Sequence, residues 1–118
     1  MDEPLHILLV DDDEDVREIL AAMLATANCW VTCSRNGKTM REVLGREAID
    51  LVLLDAWMPG EPLASLVDHL NTLQIPLLIM SGSPHMIEFA AGQNLRCLEK
   101  PFRFDTLLAA ISKALDAR

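Results

Sequence analysis

Five polar side chains of this 118-residue chain could do chemistry together, and each lies at the end of a short, mainly apolar stretch. They are Asp11, Asp12, Asp55, Ser81 and Lys100. Clustered carboxylates favour a divalent cation, because without one they repel each other. A lysine and a hydroxyl can hold a phosphoryl group while a carboxylate attacks it. If the fold brings these residues together, they indicate an aspartate that accepts a phosphoryl group.

Asp55 is the central member of this set, yet by itself it has an ordinary structural explanation. Residues 51–54 before it form the unbroken apolar run Leu-Val-Leu-Leu, typical of a strand buried on both faces of a parallel sheet. A lone acid after such a strand often caps the following turn. The same position also faces the edge where open α/β sheets bind ligands. The other four residues therefore decide between the two interpretations.

The apolar pattern along the chain predicts five β-strands, at residues 5–10, 29–34, 50–55, 75–80 and 95–99. Helical spacing predicts five helices after these strands, ending near residues 28, 47, 73 and 91 and at the end of the chain. Strands that alternate with helices are parallel and joined by right-handed crossovers. Residues 1–118 are therefore predicted to form a single α/β domain with a doubly wound, five-stranded parallel sheet.

The acidic run after the first strand divides into two parts. Asp13 is expected to cap the first helix, with Glu14 and Asp15 at the positive end of the helix dipole. Asp11 and Asp12 are left without a structural role. This makes them candidates for a site.

The strand order decides whether the candidate residues meet. In the flavodoxin-like order 2-1-3-4-5, strands one and three are neighbours, about 4.8 Å apart. Asp11, Asp12 and Asp55 would then lie within reach of one ion, with Ser81 and Lys100 ending the next two strands. No His or Cys is expected nearby, so a hard, oxygen-preferring ion is predicted: Mg²⁺, with Mn²⁺ as an alternative.

Composition excludes several classes of protein. The formal net charge of −8 disfavours a nucleic-acid-binding surface. No apolar run is long enough for membrane insertion, and the first residues lack a signal-peptide pattern. Cys29, Cys33 and Cys97 are odd in number and lack metal-ligand spacing, so they are interpreted as small buried hydrophobes. A cytoplasmic protein is expected.

Four motifs at the strand ends resemble those of response-regulator receiver domains. They are Leu9-Val10-Asp11-Asp12, Leu53-Leu54-Asp55 with Met58-Pro59, Met80-Ser81-Gly82, and Lys100-Pro101-Phe102. The match extends from about residue 5 to residue 117, and the order and spacing of the motifs are specific as a set. The resemblance implies that Asp55 takes a phosphoryl group from a sensor histidine kinase or a histidine phosphotransfer protein. Phosphorylation would then alter binding to a downstream protein target.

The resemblance also implies a metal site. Asp12 and Asp55 would bind Mg²⁺ directly, and Asp11 would act through water. The backbone carbonyl of Trp57 would be a further ligand.

For the phosphoryl group, the resemblance implies a second set of contacts. Ser81 would donate a hydrogen bond to it, and Lys100 would pair with it. The backbone N–H groups of Ala56 and Gly82 would meet its remaining oxygens. A cis peptide bond is implied between Lys100 and Pro101.

Two features depart from the family's usual pattern, and a third position bears on the lifetime of the phosphoryl group. Pro62-Leu63 stands where Asp-Gly is usual, so the loop after Asp55 must take another path. Cys97 stands where the family commonly has an aromatic residue that moves together with the hydroxyl residue, here Ser81. We therefore expect that signalling does not use an aromatic switch at this position. Trp57, two residues after Asp55, is expected to shield the phosphoryl group from water.

Two other functions fit parts of the sequence. A receiver-like interaction module that is never phosphorylated would explain the altered loop and Cys97, but not the complete acid, hydroxyl and lysine set. A small-molecule phosphatase with an aspartyl nucleophile often has a second Asp two residues later as general acid, where this chain has Trp57. A regulatory domain rather than an enzyme is therefore predicted.

Overall fold

The computed structural model describes residues 3–116, in which five β-strands alternate with five α-helices. Residues 1, 2, 117 and 118 of the predicted domain lie outside the described residues. The strands are β1 (Leu5–Val10), β2 (Cys29–Ser34), β3 (Leu51–Asp55), β4 (Leu77–Ser81) and β5 (Cys97–Glu99). The helices are α1 (Glu14–Ala25), α2 (Gly37–Leu44), α3 (Leu63–Thr72), α4 (Pro84–Gly92) and α5 (Phe104–Asp116).

All strand pairs are parallel, and the sheet has the order β2-β1-β3-β4-β5. The predicted fold class and strand order are confirmed. Such a sheet places the carboxyl ends of all five strands along one edge, and β1 and β3 are neighbours at its centre.

Two apolar layers cover the sheet, because successive strand residues point to opposite faces. Leu9 and Leu53 face a cluster that includes residues of α1 and α5. Leu8 and Leu54 face a second cluster, which includes residues of α2, α3 and α4. Every residue of β3 is buried. Burial of one leucine side chain contributes roughly 2 kcal/mol, so β3 is held firmly behind the carboxylate at its end.

Two strands begin two residues later than the sequence predicts, and β3 begins one residue later, at Leu51. β4 begins at Leu77 rather than at residue 75, and β5 at Cys97 rather than at residue 95. The residues before β4 close helix α3. Gln74 has a φ of 57°, and the N–H of Ile75 donates to Leu70 O at 3.2 Å. The apolar character of these positions reflects helix closure as well as strand formation.

The helix starts follow their capping residues. Asp13 caps α1 as predicted, and its carboxylate accepts from the N–H of Asp15 at 2.9 Å. Asn36 is the N-cap of α2, in a capping box with Thr39, and Gly37 is already helical. An asparagine before glycine therefore starts a helix here, because its side chain satisfies the N–H of Thr39.

The expectation of three buried cysteines is correct only for Cys29. Cys33, on the edge strand β2, is exposed, and Cys97, on the edge strand β5, is half-buried. Partial burial raises the pKa of all three thiols. Within residues 3–116, no helix has the length and apolar character needed to cross a membrane.

Candidate functional site

The three aspartates meet at the centre of the sheet edge. Val10 and Leu54 are partners in the β1–β3 register, so the residues that follow them, Asp11 and Asp55, lie side by side. Carboxylate oxygens of Asp11, Asp12 and Asp55 all lie within 4.8 Å of one another. Asp11 and Asp55 are buried, whereas Asp12 is exposed. One divalent cation could therefore contact oxygens of all three side chains from the solvent side.

Asp11 has a structural role that its sequence position did not reveal. Its Oδ1 accepts a hydrogen bond from the N–H of Asp13 at 3.0 Å, which supports the turn into α1. Its Oδ2 is buried without a hydrogen-bond partner. A buried acceptor left unsatisfied costs roughly 1–3 kcal/mol. The unsatisfied oxygen, beside two other carboxylates, fits a site for a cation or for a water bound to one.

Lys100 supplies the positive charge of the site. The backbone N–H of Lys100 donates to the backbone carbonyl of Ser81 at 2.8 Å, and this bond fixes the loop after β5 against β4. Its Nζ lies 3.3 Å from Asp55 Oδ1 and 3.7 Å from Asp11 Oδ2. The peptide bond between Lys100 and Pro101 is cis, as the resemblance implies.

The charge balance around Asp55 favours its neutralisation. Burial and the neighbouring Asp11 raise the pKa of Asp55, and Lys100 and the N–H of Trp57 offset this only in part. The Asp55 carboxylate is therefore expected to accept a cation or a covalent partner more readily than a carboxylate in water does.

Ser81, at the end of β4, is buried beside this carboxylate. Its Oγ accepts from the N–H of Ser83 at 3.0 Å, so the hydroxyl is held by its own loop. An open cavity of about 380 Å³ lies over Asp55 and is also lined by Trp57, Ser81, Gly82, Ser83, Met86 and Lys100. This volume is large enough for a phosphoryl group to reach Asp55.

The backbone N–H groups of the two residues after Asp55 have different partners. The N–H of Ala56 donates to Met80 O at 2.9 Å and so extends the sheet by one bond. It is thus occupied, whereas the N–H of Trp57 lies 3.4 Å from Asp55 Oδ1. The amide that faces the carboxylate is that of Trp57, because the β3–β4 ladder continues one residue beyond the strand.

Two of the unusual positions lie close to this edge. The Trp57 side chain is 78% exposed and lines the cavity with Asp55. Cys97 pairs with Ile79 in the β4–β5 register and packs against the apolar cluster that includes Ala90 of α4. A small thiol therefore lies on the part of β5 that packs against this cluster.

The loop between β3 and α3 contains functional candidates that the motifs do not include. Glu61 accepts two hydrogen bonds from Arg41 of α2, at 2.6 and 2.5 Å, and a third from Ser65 Oγ at 2.7 Å. These bonds lower the pKa of Glu61 to about 2. No sequence signal identifies the pair, because its members lie 20 residues apart and on different elements.

The fold and the acidic edge define a doubly wound α/β domain, and comparison with known proteins specifies its class. The family model of the response regulator receiver domain matches residues 7–112. The chain therefore belongs to the receiver domains of response regulators in two-component systems.

Relatives and solved structures agree with this assignment. The chain is 34% identical to Protein PetR from Rhodobacter capsulatus, over 95% of this chain and 49% of that protein. It is 33% identical to the transcriptional regulatory protein GltR from Pseudomonas aeruginosa, over 92% of this chain and 48% of the relative. The chain thus spans about half the length of these curated relatives.

Two solved structures show the same fold. The signal receiver domain of an HD domain-containing protein from Pseudomonas fluorescens Pf-5 has a TM-score of 0.86 at 24% identity, over 99% of this chain and 90% of that one. The response regulator protein TrrA from Thermotoga maritima, solved in complex with Mg²⁺–BeF, has a TM-score of 0.84 at 24% identity, over 94% and 99% of the two chains.

Proposed function

We propose that this domain is a phosphoacceptor: Asp55 takes a phosphoryl group from a phosphohistidine on a sensor histidine kinase or phosphotransfer protein. The observation that carries the proposal is the surrounding of Asp55, with two further carboxylates within 4.8 Å and a lysine amine at 3.3 Å. Phosphorylation would alter binding to a downstream protein partner. Residues 1–118 would act as one receiver unit.

The reaction is a transfer between two nucleophiles. An oxygen of the Asp55 carboxylate attacks phosphorus, the bond between phosphorus and the imidazole nitrogen breaks, and the nitrogen keeps its electron pair. Hydrolysis restores the unphosphorylated protein: water attacks phosphorus, the bond between phosphorus and the Asp55 oxygen breaks, and inorganic phosphate is released. The domain positions its own phosphoryl group for both steps, so we regard it as regulatory rather than as an enzyme.

A divalent cation completes the site. Asp12 and Asp55 would hold Mg²⁺, or Mn²⁺ in its place, together with the backbone carbonyl of Trp57, and Asp11 would hold it through water. The unsatisfied Asp11 Oδ2 and the three converging carboxylates fit such an ion. When bound, Mg²⁺ neutralises charge on the phosphoryl oxygens.

The remaining phosphoryl contacts come from this chain. Lys100 would pair with one phosphoryl oxygen. The Ser81 hydroxyl would donate to another, in place of its hydrogen bond to the carbonyl oxygen of Ser83. We assign backbone donation to the N–H groups of Trp57 and Gly82, because that of Ala56 is bonded to Met80. These donors would stabilise charge where it develops during transfer.

The cellular setting follows from the chemistry. An exposed free thiol, such as that of Cys33, persists in a reducing compartment. We therefore place the reaction in the cytoplasm. The acidic net charge of −8 gives no support to direct binding of nucleic acid by this domain.

The test is phosphoryl transfer from a small donor. Incubation with acetyl phosphate and Mg²⁺ should add one phosphoryl group to the protein, detected by intact mass, and EDTA should prevent this. If neither acetyl phosphate nor a panel of phosphorylated kinases adds mass, the protein is an interaction module that is not phosphorylated.

Replacing Trp57 with asparagine should accelerate loss of the phosphoryl group about fivefold, which corresponds to about 1 kcal/mol of barrier. The indole lines the cavity over Asp55, and its high exposure makes the shield partial. The phosphorylated fraction would be followed by mass after the donor is removed. Trp30→Phe, on edge strand β2, is the control that should keep the wild-type rate; equal rates for Trp57→Asn and the wild type would refute the shield.

Binding of beryllofluoride and Mg²⁺ should leave α4 nearly in place, because Cys97 is too small to transmit a ring movement. Amide exchange and structures of the free and bound forms would measure the shift of Pro84–Gly92. Cys97→Tyr provides the matched variant, in which a larger response of α4 is expected. A large shift of α4 in the wild type, with Cys97 moving inward beside Ser81, would disprove the hypothesis.

A further inference from the structure

The loop after Asp55 is anchored at its two ends. At the first end, Ala56 bonds to β4, and the Trp57 amide faces the Asp55 carboxylate. At the second end, Glu61 precedes Pro62, the N-cap residue of α3, whose side chain makes no capping hydrogen bond. Between them, Gly60 has a φ of 98°, and a Cβ built there would meet nothing within 4 Å. The middle of the loop is therefore open, and the end contacts determine its path.

Glu61 makes the side-chain contacts at the second end. The planar guanidinium of Arg41 meets both carboxylate oxygens, a geometry that defines orientation as well as distance. The two side chains are about one-third and one-quarter exposed, so water screens the pair only in part. Ser65, in the first turn of α3, donates to Oε2 of the same carboxylate at 2.7 Å. Glu61 thereby joins α2, the loop and α3.

The start of α2 is shaped to receive this carboxylate. A Cβ at Gly37 would lie 2.3 Å from Glu61 Oε1 and 2.7 Å from Leu66 Cδ2. Glycine at this position therefore lets the loop lie against the helix. Gly37 and Arg41 are four residues apart and share one face of α2, so one face supplies both the space and the cation.

We infer that the Arg41–Glu61 ion pair positions the loop that carries Trp57, and that it thereby sets the affinity of the acidic edge for Mg²⁺. The inference rests on the proposed function, since it concerns the same metal site. Glu61 lies four residues after Trp57, and Pro59 and Pro62 limit the conformations of the chain in this segment. A displaced Glu61 would move the backbone of Trp57 relative to Asp55. Both residues are positioning residues, because neither touches the reacting atoms.

The test measures metal affinity separately from stability. In a Trp30→Phe background, titration with Mg²⁺ would be followed by the fluorescence of Trp57. Glu61→Gln and Arg41→Met should each raise the Mg²⁺ dissociation constant about tenfold, as supporting residues around metal ligands commonly do. Arg46→Met, which removes the ion pair between the exposed Arg46 and Glu47, is the control and should leave the constant unchanged.

A charge exchange distinguishes positioning from general support of the fold. The double variant Arg41→Glu with Glu61→Arg should recover most of the affinity that the single variants lose. Lower melting temperatures with an unchanged dissociation constant in both single variants would overturn the inference. If the Trp30→Phe protein itself gives no Mg²⁺ signal and gains no phosphoryl group, the proposed function fails first.

Discussion

Replacing Asp55 with asparagine is expected to abolish the phosphoryl group that acetyl phosphate and Mg²⁺ add to the protein. The amide oxygen is a far weaker nucleophile than a carboxylate, and no other described acid occupies its position at the end of β3. Intact mass and the fluorescence of Trp57 would both report the loss. The effect should be complete rather than graded, because in the proposed reaction the bond to phosphorus would form at this side chain.

Asp12→Asn is the matched comparison. It removes a carboxylate from the same cluster but leaves the acceptor, so phosphorylation should become slow and demand more Mg²⁺ without disappearing. Persistent addition of one phosphoryl group to Asp55→Asn would contradict the assignment of the acceptor.

The same Asp55→Asn protein should be more stable than the wild type without metal, by on the order of 1 kcal/mol. Burial and Asp11 raise the pKa of Asp55 above its ordinary value of 3.8, so the folded state holds the proton more tightly than the unfolded state. The resulting decrease in the free energy of unfolding of the wild type is absent below pH 3.8 and complete above the raised pKa of Asp55. Urea unfolding in EDTA should therefore show an advantage of the variant at neutral pH that disappears in acid.

Replacing Lys100 with methionine should slow phosphorylation by acetyl phosphate roughly 100-fold, the usual cost of removing one donor to developing charge. It should also destabilise the metal-free protein by about 1–2 kcal/mol, since Asp11 and Asp55 lose their nearby cation and the lysine is partly exposed. Rates from mass spectra and unfolding curves in EDTA would measure the two effects.

Lys113→Met is the matched control. It makes the same change of residue type on the exposed face of α5, away from the site. Its rate and stability should remain close to those of the wild type. A Lys100→Met protein that is phosphorylated within a few-fold of the wild-type rate would exclude the proposed role of the amine. Mg²⁺ should restore part of the lost stability, because it neutralises the same carboxylates.

These two substitutions act on one balance of charge in opposite directions. Asp55→Asn removes an excess negative charge, whereas Lys100→Met removes the positive charge that compensates it. The partly compensated state at neutral pH is the physical reason for expecting that metal and phosphoryl group bind at this edge.

Much of the site is predictable from the sequence, because local patterns specify it. Short, mainly apolar stretches predict the strands, and the polar residues that end or follow β1, β3, β4 and β5 lie at the carboxyl edge. Parallel topology then brings Asp11, Asp55, Ser81 and Lys100 to one edge, whatever the details of the helices. The cap at Asp13 is equally local, since its partners are two and three residues away.

Only the tertiary structure decided the contacts that depend on register and on helix placement. The hydrogen bond from Ala56 to Met80 exists because the β3–β4 ladder runs one residue beyond the strand. Cys33 is exposed whereas Cys29 of the same edge strand is buried, a difference that depends on what packs against each end of β2. The Arg41–Glu61 pair joins residues 20 apart, at a distance set by the packing of α2 against the loop. Such contacts have no periodicity in the chain, because they arise where separately folded elements meet.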